Sequence, residues 1–163
     1  ALVRVDPARA EAVLEDLSEL FRVALAETGA SVSLAEEVEL AERYLAIEAV
    51  RFGSRLKVSW DIDLRAQPAR VPPLVLQPLV ENAVRHGVEP VPGGGRIHVE
   101  ARVKRGQALV TVHNTVGDEP SSPGQGMALR NVRERLRLLH DVGGQCETWR
   151  DEQGFHARIT VPL

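Results

Sequence analysis

A chain of 163 residues, 44% hydrophobic and 26% charged, has the size and composition of one globular domain with a real core and a short helical appendage. Its formal charge of −3 argues against direct nucleic-acid binding, which calls for a basic excess, and a single cysteine excludes an internal disulfide. No apolar run approaches the roughly 20 residues that span a bilayer, and the opening residues lack the apolar centre of a signal peptide, so a soluble fragment is expected.

Asp6-Pro7 reads as an N-cap followed by proline at the first helical position. Val13, Leu14, Leu17, Leu20, Phe21, Ala24 and Leu25 then recur at three-to-four spacing, predicting an amphipathic helix that ends near Gly29. Ser33-Leu34-Ala35-Glu36 is a capping-box pattern for a second helix. Its stripe is Leu34, Val38, Ala41, Leu45 and Phe52, with acidic residues outside and Gly53 as its stop. The period then changes. Leu56, Val58, Trp60 and Ile62 alternate with polar residues, as in a half-buried strand. Pro68 to Pro73 is a breaker-rich connection, and a third, mostly apolar helix is predicted from Leu74 to about Gly87. A hairpin follows, with Ile97 to Val103 and Ala108 to Val112 around a turn at Lys104–Gln107. The glycine-bearing segment 117–126 precedes a fourth helix carrying Leu129, Val132, Leu136 and Leu139. Two strands, about Gln145–Arg150 and Phe155–Val161, close the chain. Helices and mainly antiparallel strands without repeated βαβ units indicate an α+β fold, a two-layer sandwich with a mixed sheet.

Three segments carry chemistry. On the third helix Asn82, Arg85 and His86 share one face, with Gln77 and Glu81 on the neighbouring row. Buried polar groups are costly without partners, and an amide oxygen with a guanidinium suits hydrated Mg²⁺ and the phosphates it accompanies. A helix end emerging into water, capped by His86 and Gly87, is the alternative. At the end of the hairpin, Asn114 can accept from a purine amino group and Gly117 lets a flat base approach, although Asn and Gly also end strands as turn formers. Gly124 and Gly126 leave free N–H groups at a helix start, a ready anion site to which Arg130 and Arg133 add charge, but two glycines before a helix are common.

In order and spacing these segments resemble the N box and two glycine boxes of the GHKL (Bergerat-fold) ATPases. The stretches VSLAEEVELAERYLAIEAVRFGSRL, VPPLVLQPLVENAVRHGV and GMALRNVRERLRLLH are similar to sensor histidine kinases of the autolysin-sensor and alginate-regulator type. The resemblance implies ATP and Mg²⁺ as cofactors. Asn82 would hold the metal, with Glu81 shaping its shell, and Arg85 and His86 would lie beside the phosphates. Asn114 and Gly117 would meet the adenine, and Gly124, Gly126, Met127, Leu129 and Arg130 would line the nucleotide. It also implies residues 1–30 as the end of a dimerisation and linker region and residues 31–163 as the ATP-binding catalytic domain. The phosphoacceptor histidine would lie in that protein's dimerisation module, and the onward partner would be a response regulator acting as a transcription factor. The fragment would be a cytoplasmic part of an inner-membrane sensor. Asn114 and Val116 depart from the usual aspartate and glycine of the first glycine box, and Ala128 stands where a third glycine is common in the second. A degenerate signalling scaffold, or a GHKL ATPase that uses Glu81 to activate water, are the competing readings.

Overall fold

A computed structural model describes residues 7–27, 29–117 and 125–163. Its first helix, α1 (Pro7–Glu27), is followed by a two-residue strand β1 (Val32–Ser33), helix α2 (Leu34–Phe52) and strand β2 (Leu56–Ile62). Strand β3 (Arg70–Val71) leads into helix α3 (Leu76–Gly87) and the hairpin of β4 (Gly95–Lys104) with β5 (Gln107–Asn114). Helix α4 (Gln125–His140) and strands β6 (Gln145–Asp151) and β7 (Gly154–Pro162) complete it.

The five longer strands form one sheet in the order β2-β4-β5-β7-β6. Only β2 and β4 pair in parallel, with Leu56 opposite Gly95 and Ile62 opposite Ala101. The remaining neighbours are antiparallel. Because β5 and β6 both run against β7, they too share a direction. Each same-direction pair needs a crossover that a tight turn cannot supply, and α3 and α4 are those crossovers. Mixed, mainly antiparallel pairing and helices over a single sheet agree with the two-layer arrangement expected from the sequence.

The core lies between sheet and helices. Ile97, Val99, Ala101, Val110, Val112, Ile159 and Val161 point from the strands at Leu45, Leu79, Val80, Val132 and Leu136. Alternation along β4, β5 and β7 leaves the opposite sheet face polar, as period-two patterning requires. The small ladder of β1 with β3 sets Val32 opposite Val71 and ties the start of α2 to the chain entering α3. At that start Ser33 and Glu36 form the reciprocal capping box, Glu36 N donating to Ser33 Oγ at 3.2 Å and Ser33 N to Glu36 Oε2 at 2.8 Å. Gly53, at φ 58°, closes α2 as predicted.

The third helix begins two residues later than the sequence suggests. Leu74 adopts φ 60°, a left-handed conformation that a helix cannot continue through, and Pro78 then occupies the first turn, where the N–H it lacks would have no intrahelical acceptor. Among the described residues no helix is long and apolar enough to cross a membrane.

Candidate functional site

Helix α3 is fixed at both ends by groups from elsewhere in the fold. At its C-terminal end Gly87 packs against the end of β5. A Cβ there would fall 2.6 Å from Asn114 Nδ2 and 2.7 Å from Thr115 O, so only glycine allows this approach. On the other side Gly95 backs onto the same point, its missing side chain leaving room for the Gly87 carbonyl. Arg55 holds the segment just beyond, Nη2 donating to Val88 O at 3.2 Å and to Val91 O at 2.7 Å.

The N-terminal end lacks a side-chain cap of its own, Val75 being at the N-cap. Instead Glu37 of α2, 2% exposed, accepts from Leu74 N at 2.6 Å and Leu76 N at 3.2 Å. Arg135 of α4, 5% exposed, donates to Pro73 O at 2.9 Å and to Leu74 O at 3.3 Å. Burial pushes the Glu37 carboxyl above its usual range, against the pull of these N–H groups and of Arg135. Neither residue was singled out from the sequence, which put the acidic residues of α2 on its outer face. The signal was present: Glu37 falls three residues after Leu34 and four before Ala41, on the apolar stripe. Arg135 stands in the same relation to Val132 and Leu139.

Between these ends the polar row divides. Glu81 and Arg85, one turn apart, line an open cleft between α1, α2 and α3 together with Tyr44, Glu48 and Glu15. Gln77 Nε2 donates to Glu81 Oε1 at 3.1 Å, and Arg85 forms an ion pair with Glu15 of α1. Of the Asn82, Arg85 and His86 face, the Arg85 guanidinium is thus held in the cleft beside Glu81 by a carboxylate of α1. Asn82 is 8% exposed and its carboxamide has no partner among the described residues. His86 is half-buried, and that burial, followed by the charge of Arg85, holds its imidazole below the ordinary range.

Asn114 sits at the end of β5, 1% exposed, with Nδ2 donating to Thr115 O at 2.9 Å. The amide's extra donor, which an aspartate would lack, is thus satisfied locally. A base reaching Asn114 Oδ1 has to displace what covers it. Gly117 lies against Val91, and Gly124 falls outside the described residues. Gly126 stands in the first turn of α4. Met127 and Arg130 are exposed, whereas Leu129 is turned into the core and Arg133 donates to Cys146 O at 3.0 Å.

The histidine kinase family model matches residues 1–56. The sensor protein LytS of Staphylococcus saprophyticus is 32% identical over 99% of this chain. The sensor histidine kinase BtsS of Escherichia coli is 33% identical over the whole of it, and YesM of Bacillus subtilis 34% over 92%. The chain spans only 30%, 29% and 27% of the length of those three relatives. Among solved structures, the catalytic domain of the histidine kinase ThkA aligns with a TM-score of 0.62 and 20% identity, covering 82% of this chain and 95% of that one. The Acinetobacter baumannii histidine kinase AdeS aligns with a TM-score of 0.71 and 13% identity, covering 99% and 84%. The overall fold is thus shared with kinase catalytic domains, and the sequence agreement with the relatives runs along nearly the full chain. The chain belongs to the sensor histidine kinases, with LytS, BtsS and YesM among its relatives.

Proposed function

We propose that this chain is the ATP-binding catalytic domain of a two-component sensor kinase, with residues 31–163 as the catalytic unit and residues 1–30 as the end of the dimerisation and linker region. The γ-phosphoryl group passes to a histidine of the dimerisation module and thence to a response regulator. By the same reading the complete protein is an inner-membrane sensor whose catalytic part faces the cytoplasm. The observation that carries the proposal is Asn82, 8% exposed and with no side-chain partner among the described residues, on a helix held at both ends.

The donor set suits a magnesium ion that arrives with its nucleotide. No group of three or more His, Cys, Asp or Glu side chains that could hold a metal exists among the described residues. A hydrated, hard cation held by one amide oxygen and by phosphates needs no such cage. Asn82 is the residue that would hold it, and the ion would supply charge neutralisation at the phosphates. Glu81, next to Asn82 in the chain, would shape its shell while it accepts from Gln77. Arg85 serves the phosphates once it leaves Glu15, and His86 offers a neutral ring face near them. The exposed Arg130 and the first turn of α4, with Gly126 and Met127, bring further positive charge and backbone N–H groups. Phosphoryl transfer asks for little else beyond an in-line acceptor.

Calorimetric titration with Mg·ATP tests this directly. Asn82→Ala is expected to keep the fold and weaken Mg·ATP at least tenfold, about 1.4 kcal/mol. Equal affinity in wild type and variant would remove Asn82 from the site. The burial of Asn114 favours one second reading, a domain that retains the fold and signals without binding nucleotide. Absence of binding heat at millimolar Mg·ATP in folded wild-type protein would select it.

A further inference from the structure

Two buried, oppositely charged side chains from two different helices grip the peptide groups on either side of Leu74, at the entry to α3. Glu37 takes the Leu74 N–H and Arg135 takes the Leu74 C=O. We propose that Glu37 and Arg135 are positioning residues for the magnesium and phosphate site, a brace that sets the direction in which α3 leaves the Pro73–Leu76 turn and hence where Asn82 stands. The inference rests on the role assigned to Asn82 above.

The turn cannot hold itself. Val75 offers no side-chain cap, and Leu74 has a left-handed backbone that residues other than glycine avoid. Its conformation persists because both of its peptide groups are held by charges, and charge-assisted bonds are the strong ones. An apolar pair would fill the same space without the desolvation cost, so a buried carboxylate and guanidinium here point to definition of geometry rather than to net stability.

That geometry has leverage on the site. Asn82 lies six residues beyond Leu76, where the helix begins, roughly 9 Å at about 1.5 Å per residue. A tilt of about 10° at the turn would swing its carboxamide by roughly 1.5 Å, and misplacements of about 1 Å already disable reacting geometries. The brace also joins the two crossovers. Arg135 rides on α4, whose first turns carry Met127 and Arg130, so the helix at the second glycine segment and the helix bearing Asn82 are set against each other through one guanidinium.

The experiment titrates wild type, Glu37→Gln, Arg135→Lys and Asn82→Ala with Mg·ATP and with ATP in EDTA, each first checked for native circular dichroism. Both brace variants are expected to lose at least tenfold in Mg·ATP affinity while ATP in EDTA stays within twofold of wild type, the same selective loss as Asn82→Ala. A cap that served stability alone would lower the melting temperature and leave that ratio unchanged. A wild-type ratio in the folded brace variants, with Asn82→Ala impaired, overturns the brace and spares the site. A wild-type ratio in Asn82→Ala overturns the site and the brace with it. Should the brace variants not fold, hydrogen exchange on the wild type decides: Mg·ATP is expected to slow the Leu74 and Leu76 amides and ATP in EDTA is not, and unchanged rates at saturating Mg·ATP overturn the proposal.

Discussion

At the scale of single residues, Gly87 is a demanding position near the site. Gly87→Ala drives a methyl group into Asn114 and Thr115, and overpacking of this kind costs about 1–3 kcal/mol. A lowered urea midpoint with an unchanged slope is the expected result. His86 gives a pH dependence whose sign follows from its environment. Its folded value lies below the ordinary 6.5, so as pH falls past 6.5 the unfolded chain takes up a proton before the folded one does. The stability it contributes is fully present above that pH and is lost as pH falls through the depressed folded value. Unfolding midpoints measured between about pH 5 and 7.5 should decline more steeply in wild type than in His86→Gln. Asn82 was legible in the sequence because a polar residue stood out on an apolar helix. The burial of Asn114 was not, since it depends on Gly87 and Gly154, which approach it from other parts of the chain.

Among the elements, α2 announced itself most completely, its start written in Ser33 and Glu36 and its stop in Gly53. Ser33→Ala should cost about 1 kcal/mol, or roughly 2–4 °C in melting temperature for a domain of this size. A melt unchanged within error would mean that the Leu34 and Ala35 N–H bonds to Ala69 O and Gln67 O hold the helix start without the box. The start of α3 was read two residues early for a physical reason. Proline and apolar periodicity mark where a helix is allowed, while Glu37 and Arg135 fix where this one begins. Charges on an apolar stripe are a local signal, but which peptide they grip is a long-range fact. The parallel pairing of β2 with β4 escaped the sequence likewise, because alternation marks a strand and its buried face, not its neighbour's direction.

For the molecule as a whole, the placement of its histidines carries the next test. His98, His113, His140 and His156 are each engaged, with Ser59 Oγ, Gln153 O, Arg70 O and Asp151 Oδ1. His86 belongs to the helix that would bind the nucleotide. Incubation of this chain with radiolabelled Mg·ATP is therefore expected to give no acid-labile phosphohistidine, and a stoichiometric label would show that one of the five is the acceptor. Steady ATP turnover that vanishes in Glu81→Ala would instead mark a hydrolase. The fold class was readable because period and helix capping agree along nearly the whole chain. The contact of α1 with α3 through Glu15 and Arg85 was not, since a surface ion pair leaves no periodic trace.

The one parallel contact of the sheet also bears on how the domain comes together in time. The β4–β5 and β6–β7 hairpins join neighbours in the chain, whereas β2 meets β4 only across a separation such as the 39 positions between Ser59 and His98. Closing so long a loop is entropically expensive and belongs late in assembly. The helix spanning that gap is α3, so the site around Asn82 comes into being with one of the late closures, alongside that of β5 on β7, which spans still more of the chain. A ligand held there would act as a latch on the finished protein, slowing its unfolding while leaving its rate of folding almost untouched.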